Sequence, residues 1–119
     1  APADYRVKNV SIHKIKAKEL SLELEKTPDI AKAVGAVKGD RKLIIFSAET
    51  DDLIENARKK LAAKNADMVV ANDVTKEGAG FNVDTNIATI ITKAGKVYDY
   101  DIMPKSRLAE IILDHMHEL

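Results

Sequence analysis

Residues 43–74, LIIFSAETDDLIENARKKLAAKNADMVVANDV, contain the change of hydrophobic period that decides the fold. Leu43 to Phe46 is a short continuous apolar run, which is typical of a strand covered on both faces. From Leu53 onward the apolar residues recur at helical spacing, and a second apolar run, Met68 to Ala71, follows at once. A strand, a helix and a strand with such short connections predict a βαβ unit with parallel strands. The fold is therefore expected to be α/β.

Polar residues follow both strands of this unit. Ser47 to Thr50 follow the first strand, and Asn72 and Asp73 follow the second. The carboxyl ends of parallel strands lie at the same edge of a sheet, and ligands bind at that edge in open parallel sheets. Oxygen atoms of Asn72 and Asp73 can contact a sugar, a base or a metal-bound phosphate, but Asn and Asp are also common in turns. The residues alone leave these two interpretations evenly balanced.

The composition limits the class of protein. A chain of 119 residues with 45% apolar residues suffices for one domain with a single core. The 19 basic and 19 acidic residues cancel, which argues against nucleic acid or a membrane as a general partner. The absence of cysteine excludes disulfides, thiolate zinc sites and a cysteine nucleophile. No apolar run approaches the roughly 18 residues of a membrane span, so the cytoplasm is the expected location.

A strand and a helix are predicted before the central unit. Leu20 to Glu25 alternates leucine with polar residues, which predicts a half-buried strand. Thr27 as a cap, Pro28 at the first helical position and Asp29 in the first turn together predict a helix start.

This helix is predicted to bury Ile30, Val34 and Val37 and to end near Gly39. Gly35 in its middle costs about 1 kcal/mol relative to Ala, which indicates close packing or a poorly formed last turn.

The remaining elements have clear local signals. Asp52 and Glu55 have the spacing of a capping box at the start of the central helix, although Thr50 or Asp51 could equally be its cap. Ile87 to Thr92 and Lys96 to Tyr100, joined around a glycine, predict an antiparallel hairpin. A final helix is predicted from about Ser106, which is its expected cap.

Three groups of residues have both a structural and a functional interpretation. Lys14, Lys16 and Lys18 would project from one side of an extended segment, as a solvated edge or as a cationic flap over a phosphate-bearing ligand. Lys60 and Lys64 are neighbours on a helix and either complement its dipole or bind a triphosphate. Phe81 either closes an apolar side of a pocket or fills the core. In each case spacing alone favours the structural interpretation.

Eight stretches of the chain, in the same order and with similar gaps, resemble the phosphopantothenate-cysteine ligase half of the bifunctional coenzyme A biosynthesis flavoprotein. They are Asp4-Tyr5-Arg6, Lys14-Ile15-Lys16-Ala17-Lys18, Thr27-Pro28-Asp29-Ile30, Phe46-Ser47-Ala48-Glu49-Thr50, Glu55-Asn56-Ala57-Arg58, Lys64-Asn65-Ala66-Asp67, Ala71-Asn72-Asp73-Val74 and Gly80-Phe81-Asn82-Val83-Asp84. The resemblance extends over essentially the whole chain. It implies a Rossmann-like, three-layer parallel sheet with an added antiparallel hairpin, forming the C-terminal half of a ligase domain.

The resemblance also implies an activity. In that family CTP activates the carboxylate of 4'-phosphopantothenate as an acyl-cytidylate, and the amine of cysteine then attacks. It implies that Lys14 is catalytic and lies in a flap, and that Asp4 contacts the nucleotide and Mg²⁺. Ala17 stands where the family usually has a third lysine, and Lys18 follows it. The positive charge of the flap is thus displaced by one position, and the sequence leaves open which group it faces. The positions implied for nucleotide binding are Asp4, Lys14, Phe46, Lys60, Lys64, Asn72 and Phe81.

Further expectations concern the ligands, cofactors and protein partners of this chain. The resemblance implies CTP, 4'-phosphopantothenate and cysteine as small-molecule partners, Mg²⁺ as cofactor, and FMN only where a decarboxylase domain is fused upstream. It implies a homodimer and a preceding N-terminal half of the ligase domain, without which we expect no turnover. The alternative is a non-catalytic nucleotide-binding or dimerisation module with the same fold.

Overall fold

The computed structural model describes residues 2–79 and 82–119, and its contacts divide the chain into two compact units, Ala1–Ile30 and Ala31–Leu119. Phe81 lies outside the described residues. Among the described residues, no helix has both the length and the apolar character that crossing a membrane requires.

The first unit is built on a two-stranded antiparallel ribbon. Strands β1 (Tyr5–Val7) and β2 (Leu24–Lys26) pair with Arg6 opposite Glu25. The Arg6 guanidinium donates to the Glu25 carboxylate at 2.7 Å. The predicted strand from Leu20 is therefore confirmed only at its end, because pairing with β1 begins at Leu24. Its predicted half-burial was wrong, because Leu20, Leu22 and Leu24 are 58%, 56% and 54% exposed.

Helix α1 (Ile30–Val37) starts later than its sequence signals predict. The Thr27 hydroxyl donates to the carbonyl of Ala3 at 2.5 Å, and the Thr27 N–H donates to the carbonyl of Asp4 at 3.0 Å. Thr27 is thus held by the ribbon and does not cap the helix. Pro28 and Asp29 precede the first helical residue, so the prediction that they occupy its first turn was wrong.

The face that α1 buries is also different from the predicted one. Ile30, Val34 and Val37 are 57%, 42% and 71% exposed. The buried positions are Gly35 and, just past the helix end, Lys38. Gly35 is buried because the helix lies directly against the backbone at the end of the next helix, where a larger residue does not fit. The predicted close packing at Gly35 is confirmed.

The second unit contains a four-stranded mixed sheet. The strands are β3 (Ile44–Glu49), β4 (Met68–Asp73), β5 (Thr85–Thr92) and β6 (Val97–Pro104), and they lie in that order. Strands β3 and β4 are parallel and are joined by helix α2 (Leu53–Ala63), which confirms the predicted βαβ unit. The predicted hairpin is confirmed as β5 and β6, which extend the same sheet in antiparallel pairing.

Helices cover the two faces of this sheet. Helix α2 packs on one face, where Ala57 joins a cluster with Ile45, Val69 and Ile91. Helix α3 (Lys105–His117) packs on the other face through Leu108. Strand β4, between the two helices, is buried from Met68 to Ala71. The expected three-layer α/β architecture is confirmed for this unit.

Three local predictions were wrong. Strand β3 is not covered on both faces, because it is an outer strand and its Phe46 is 67% exposed. Asp52 adopts a left-handed conformation with φ 44° and makes no side-chain cap, so it does not form a capping box with Glu55. Helix α3 is preceded by Pro104 and begins at Lys105, which places Ser106 inside its first turn and not at the cap.

Candidate functional site

Strand β3 presents two chemically different faces. Its side chains alternate, so Ser47 and Glu49 point toward α2 and are only 2% and 8% exposed. Phe46 points to the opposite face and is largely exposed. A buried hydroxyl and a buried carboxylate two residues apart require partners, because burial without a hydrogen bond is costly.

Helix α2 supplies that partner through Lys60. The Lys60 ammonium donates to Oε1 of Glu49 at 2.6 Å and to Oγ of Ser47 at 2.8 Å. The Ser47 hydroxyl in turn donates to the same carboxylate oxygen of Glu49. The three side chains form a closed ring of hydrogen bonds, in which the Lys60 side chain is 41% exposed and that of Glu49 only 9%. The ring therefore pairs the ammonium of a partly exposed side chain with a buried carboxylate.

The ring keeps Glu49 ionised. Burial by itself raises the pKa of Glu49, but hydrogen bonds from Lys60 and Ser47, the charge of Lys60 and the amide of Asn56 together bring it below its usual value. The carboxylate is therefore charged at neutral pH and forms an ion pair with the ammonium.

Lys64 lies one turn beyond Lys60, at the end of α2. Its backbone N–H donates to the carbonyl of Lys60 at 3.1 Å, and its side chain is half-buried. Lys59, by contrast, lies on the exposed side of the helix and pairs with Glu55 at 2.6 Å. Lys60 is thus tied to buried groups of the sheet, whereas Lys59 pairs with an exposed residue of its own helix.

The end of strand β4 carries the other predicted polar residues. Asn72 is half-buried and lies opposite Ala48 in the parallel register, which places it on the same face of the sheet as Phe46. Asp73 accepts hydrogen bonds from the Thr75 N–H at 3.0 Å and the Thr75 hydroxyl at 2.5 Å, and these bonds lower the pKa of its carboxyl group. Asp73 is therefore a turn residue, whereas Asn72 remains a candidate for ligand contact.

Asp4 and Lys14 belong to the first unit. Both are exposed, and Lys14 lies in a segment, residues 8–24, in which every residue is exposed. In the described part of the chain, no group of three or more His, Cys, Asp or Glu side chains is arranged to hold a metal ion. Mg²⁺ is usually bound by one or two carboxylates together with substrate phosphates, and a single exposed Asp4 fits that mode.

Ser47 and Glu49, the partners of Lys60, were not among the site residues predicted from the sequence. The signal that could have found them is their alternate spacing on a strand that is otherwise apolar, followed by a lysine on the adjoining helix. The predicted residues of the second unit thus lie on two faces of the sheet, with Lys60 on the α2 side and Phe46 and Asn72 on the α3 side.

Comparison with known proteins assigns the chain to a family. Residues 1–119 match the family described as the DNA/pantothenate metabolism flavoprotein C-terminal domain. The chain belongs to this family.

Several curated proteins are similar to the chain. The coenzyme A biosynthesis bifunctional protein CoaBC of Bacillus subtilis is 46% identical over 100% of the chain and 30% of its own length. The protein of the same name from Vibrio cholerae is 39% identical over 99% of the chain and 31% of its length. A cysteine/cysteine sulfinic acid decarboxylase of an unknown prokaryotic organism is 39% identical over 95% of the chain and 32% of its own length. The chain therefore spans about a third of the length of these relatives.

Solved structures show the same fold. The crystal structure of the C-terminal domain of CoaBC matches with a TM-score of 0.75 and 39% identity, over 98% of this chain and 49% of that one. The DNA/pantothenate metabolism flavoprotein of Streptococcus pneumoniae matches with a TM-score of 0.66 and 27% identity, over 87% of this chain and 44% of that one. Both likenesses support the α/β architecture described above.

Proposed function

We propose that this chain contributes to coenzyme A biosynthesis as the C-terminal part of a CTP-dependent phosphopantothenate-cysteine ligase. The observation that carries the proposal is the chain-long identity of 46% with a protein named for coenzyme A biosynthesis. A supporting observation is the partly exposed side chain of Lys60, since a reaction that releases pyrophosphate needs cations close to the phosphates.

The proposed reaction has two steps. A carboxylate oxygen of 4'-phosphopantothenate attacks the α-phosphorus of CTP, which forms the acyl-cytidylate and releases pyrophosphate. The amine nitrogen of cysteine then attacks the acyl carbon, and cytidine monophosphate leaves as the amide bond forms. Negative charge builds on the leaving pyrophosphate in the first step, so positive groups positioned there lower the barrier.

The residues take the following roles in this proposal. Lys60, in the last turn of α2, and Lys64, at its C-cap, bind phosphate oxygens of the nucleotide. Lys14 approaches the activated carboxylate and is the catalytic cation. Asp4 would hold Mg²⁺, which supplies neutralising charge to the phosphates when it is bound.

The nucleoside contacts are assigned to the other face of the sheet. Phe46 offers an exposed aromatic ring, and aromatic rings stack on bases with little dependence on sequence. Asn72 offers an amide that both donates and accepts hydrogen bonds. Phe81 completes the proposed set.

The test is pyrophosphate release by the full-length gene product supplied with CTP, 4'-phosphopantothenate and cysteine. Lys14→Gln should lower kcat by at least about 100-fold, in the range seen when an electrostatic stabiliser of the transition state is removed. Its melting temperature should not change, because Lys14 is exposed. Lys96→Gln, at an exposed position of the β5–β6 turn, is the control and should keep wild-type rates.

Two other results would redirect the assignment. A folded protein that binds CTP and releases no pyrophosphate would support the alternative of a non-catalytic nucleotide-binding or dimerisation module. Faster turnover with ATP than with CTP in direct competition would indicate a ligase of different nucleotide preference. We also propose a homodimer, which sedimentation analysis checks, and FMN binding only where a decarboxylase domain is fused to the same polypeptide.

A further inference from the structure

We propose that Ser47 and Glu49 are positioning residues, which fix the ammonium of Lys60 so that it presents one N–H group to a phosphate oxygen of the bound nucleotide. This inference rests on the proposed function, because it assumes that Lys60 meets a triphosphate. It goes further by assigning a role to two buried residues on a different element of the fold.

The hydrogen bonds of the ring leave one donor available. A lysine ammonium has three N–H groups, and Lys60 uses one for Glu49 at 2.6 Å and one for Ser47 at 2.8 Å. Within residues 2–79 and 82–119, the structure gives the Lys60 ammonium no third side-chain partner. Both partners are almost fully buried, whereas the Lys60 side chain is 41% exposed, so the third N–H group is the one assigned to the ligand.

The ring also fixes the direction of that donor. The Ser47 hydroxyl accepts from Lys60 and donates to Glu49, so displacement of any one of the three groups breaks two hydrogen bonds. A lysine held in this way has lost its rotamer freedom before the ligand arrives, which favours binding. Lys59 provides the contrast, because its partner Glu55 is 67% exposed and a surface pair of this kind restrains a side chain weakly.

Two variants test the positioning role without altering net charge. Ser47→Ala removes the hydroxyl, and Glu49→Asp withdraws the carboxylate from Lys60 by one methylene. Each should raise the Kd for inorganic tripolyphosphate and the KM for CTP by about 10-fold, the scale of one hydrogen bond to a charged group. The KM for cysteine should stay unchanged. Since the two variants are independent, one that fails to fold leaves the other as the test.

A double-mutant comparison separates positioning from a structural role. In a Lys60→Gln background, the Ser47→Ala and Glu49→Asp changes should add no further loss of tripolyphosphate binding, because they act through the lysine. Lys59→Gln is the matched control on the same helix and should bind as the wild type does. Equal losses with and without Lys60 would overturn the inference.

The experiment also distinguishes the failure of this inference from failure of the proposed function. Calorimetric titration of the full-length gene product with tripolyphosphate and with CTP is run beside the pyrophosphate assay. If the wild type binds both and turns over, while Ser47→Ala and Glu49→Asp bind as tightly as it does, only the positioning role is overturned. If the wild type neither binds nor releases pyrophosphate, both proposals fail.

Discussion

Replacing Gly35 with alanine tests whether α1 and the end of α2 touch through their backbones. A Cβ at this position would lie 1.8 Å from the carbonyl oxygen of Lys64 and 2.8 Å from its carbonyl carbon, whereas ordinary contact begins at 3.4 Å. Both obstacles are backbone atoms, so no side chain can rotate away. The two helix ends must therefore separate by more than one ångström.

The cost of Gly35→Ala follows from three contributions. Overpacking of this kind costs about 1–3 kcal/mol. The separation also breaks the hydrogen bond from the Asn65 amide to the carbonyl of Gly35, now 3.0 Å long, at a cost of about 1 kcal/mol. Alanine favours the helix over glycine by about 1 kcal/mol, which offsets that last loss. The net expectation is a decrease of about 1–3 kcal/mol in the free energy of unfolding.

Urea unfolding of the wild type and variants measures this decrease. Gly39→Ala is the control, because nothing lies within 4 Å of its Cβ but its φ is +56°. It should lose about 1–2 kcal/mol through backbone strain, and Gly39→Asn should recover most of this because asparagine tolerates left-handed conformations. Asparagine at position 35 should give no such recovery. A Gly35→Ala protein as stable as the wild type would refute the close contact.

Three further predictions concern buried polar groups. Burial raises the pKa of Asp67, but hydrogen bonds from Lys38 and from the Leu43 N–H lower this pKa overall. The ionised carboxylate therefore stabilises the fold above the unfolded-state pKa, and this stabilisation is lost as the pH falls through the lower folded-state pKa. Unfolding free energies measured between about pH 5 and pH 2 should therefore fall more steeply for the wild type than for Asp67→Asn. Lys38→Met should lower the unfolding free energy at neutral pH by about 3–5 kcal/mol, because it removes the ammonium that lies 2.5 Å from the buried Asp67 carboxylate. A loss within error of zero would show that the pair is solvated. Thr92→Val should raise the melting temperature, because Oγ1 of Thr92 is the one buried side-chain polar atom of the described residues without a hydrogen bond; a lower melting temperature would point to a partner for that hydroxyl.

The central unit could be predicted because its signals are local. The apolar period changes from strand to helix between Phe46 and Leu53 and back again before Met68, and a right-handed crossover then fixes the parallel pairing. The β5–β6 hairpin is equally local, with Gly95 at φ +88° in the turn where a glycine was expected.

The buried face of α1 could not be predicted from periodicity. Ile30, Val34 and Val37 share a helical face, and the general preference for apolar burial selects it. The structure instead buries Gly35, because the distance between this helix and Lys64 admits only a small residue. Which face a helix buries depends on the surface that it packs against, and the hydrophobic period of a single helix carries no information about that surface.

The candidate site, too, could be predicted only in part from the sequence. The sequence places Lys60 and Lys64 on neighbouring turns, which is correct, and the family resemblance supplies their proposed role. It does not show that Lys60 pairs with Glu49, eleven residues earlier, because that contact requires α2 to be docked on the sheet. The exposure of Phe46 likewise follows from the outer position of β3, which becomes evident only when the strand order is known.

The strand order has a consequence for how the sheet assembles. Strands β3, β4, β5 and β6 are neighbours in space in the same order in which they occur along the chain. Contacts between segments that are close in sequence form quickly, and a chain leaving the ribosome exposes its amino end first. Each strand is therefore synthesised after the neighbour on which it adds, and the sheet can grow during translation, with α3 arriving last to cover its second face.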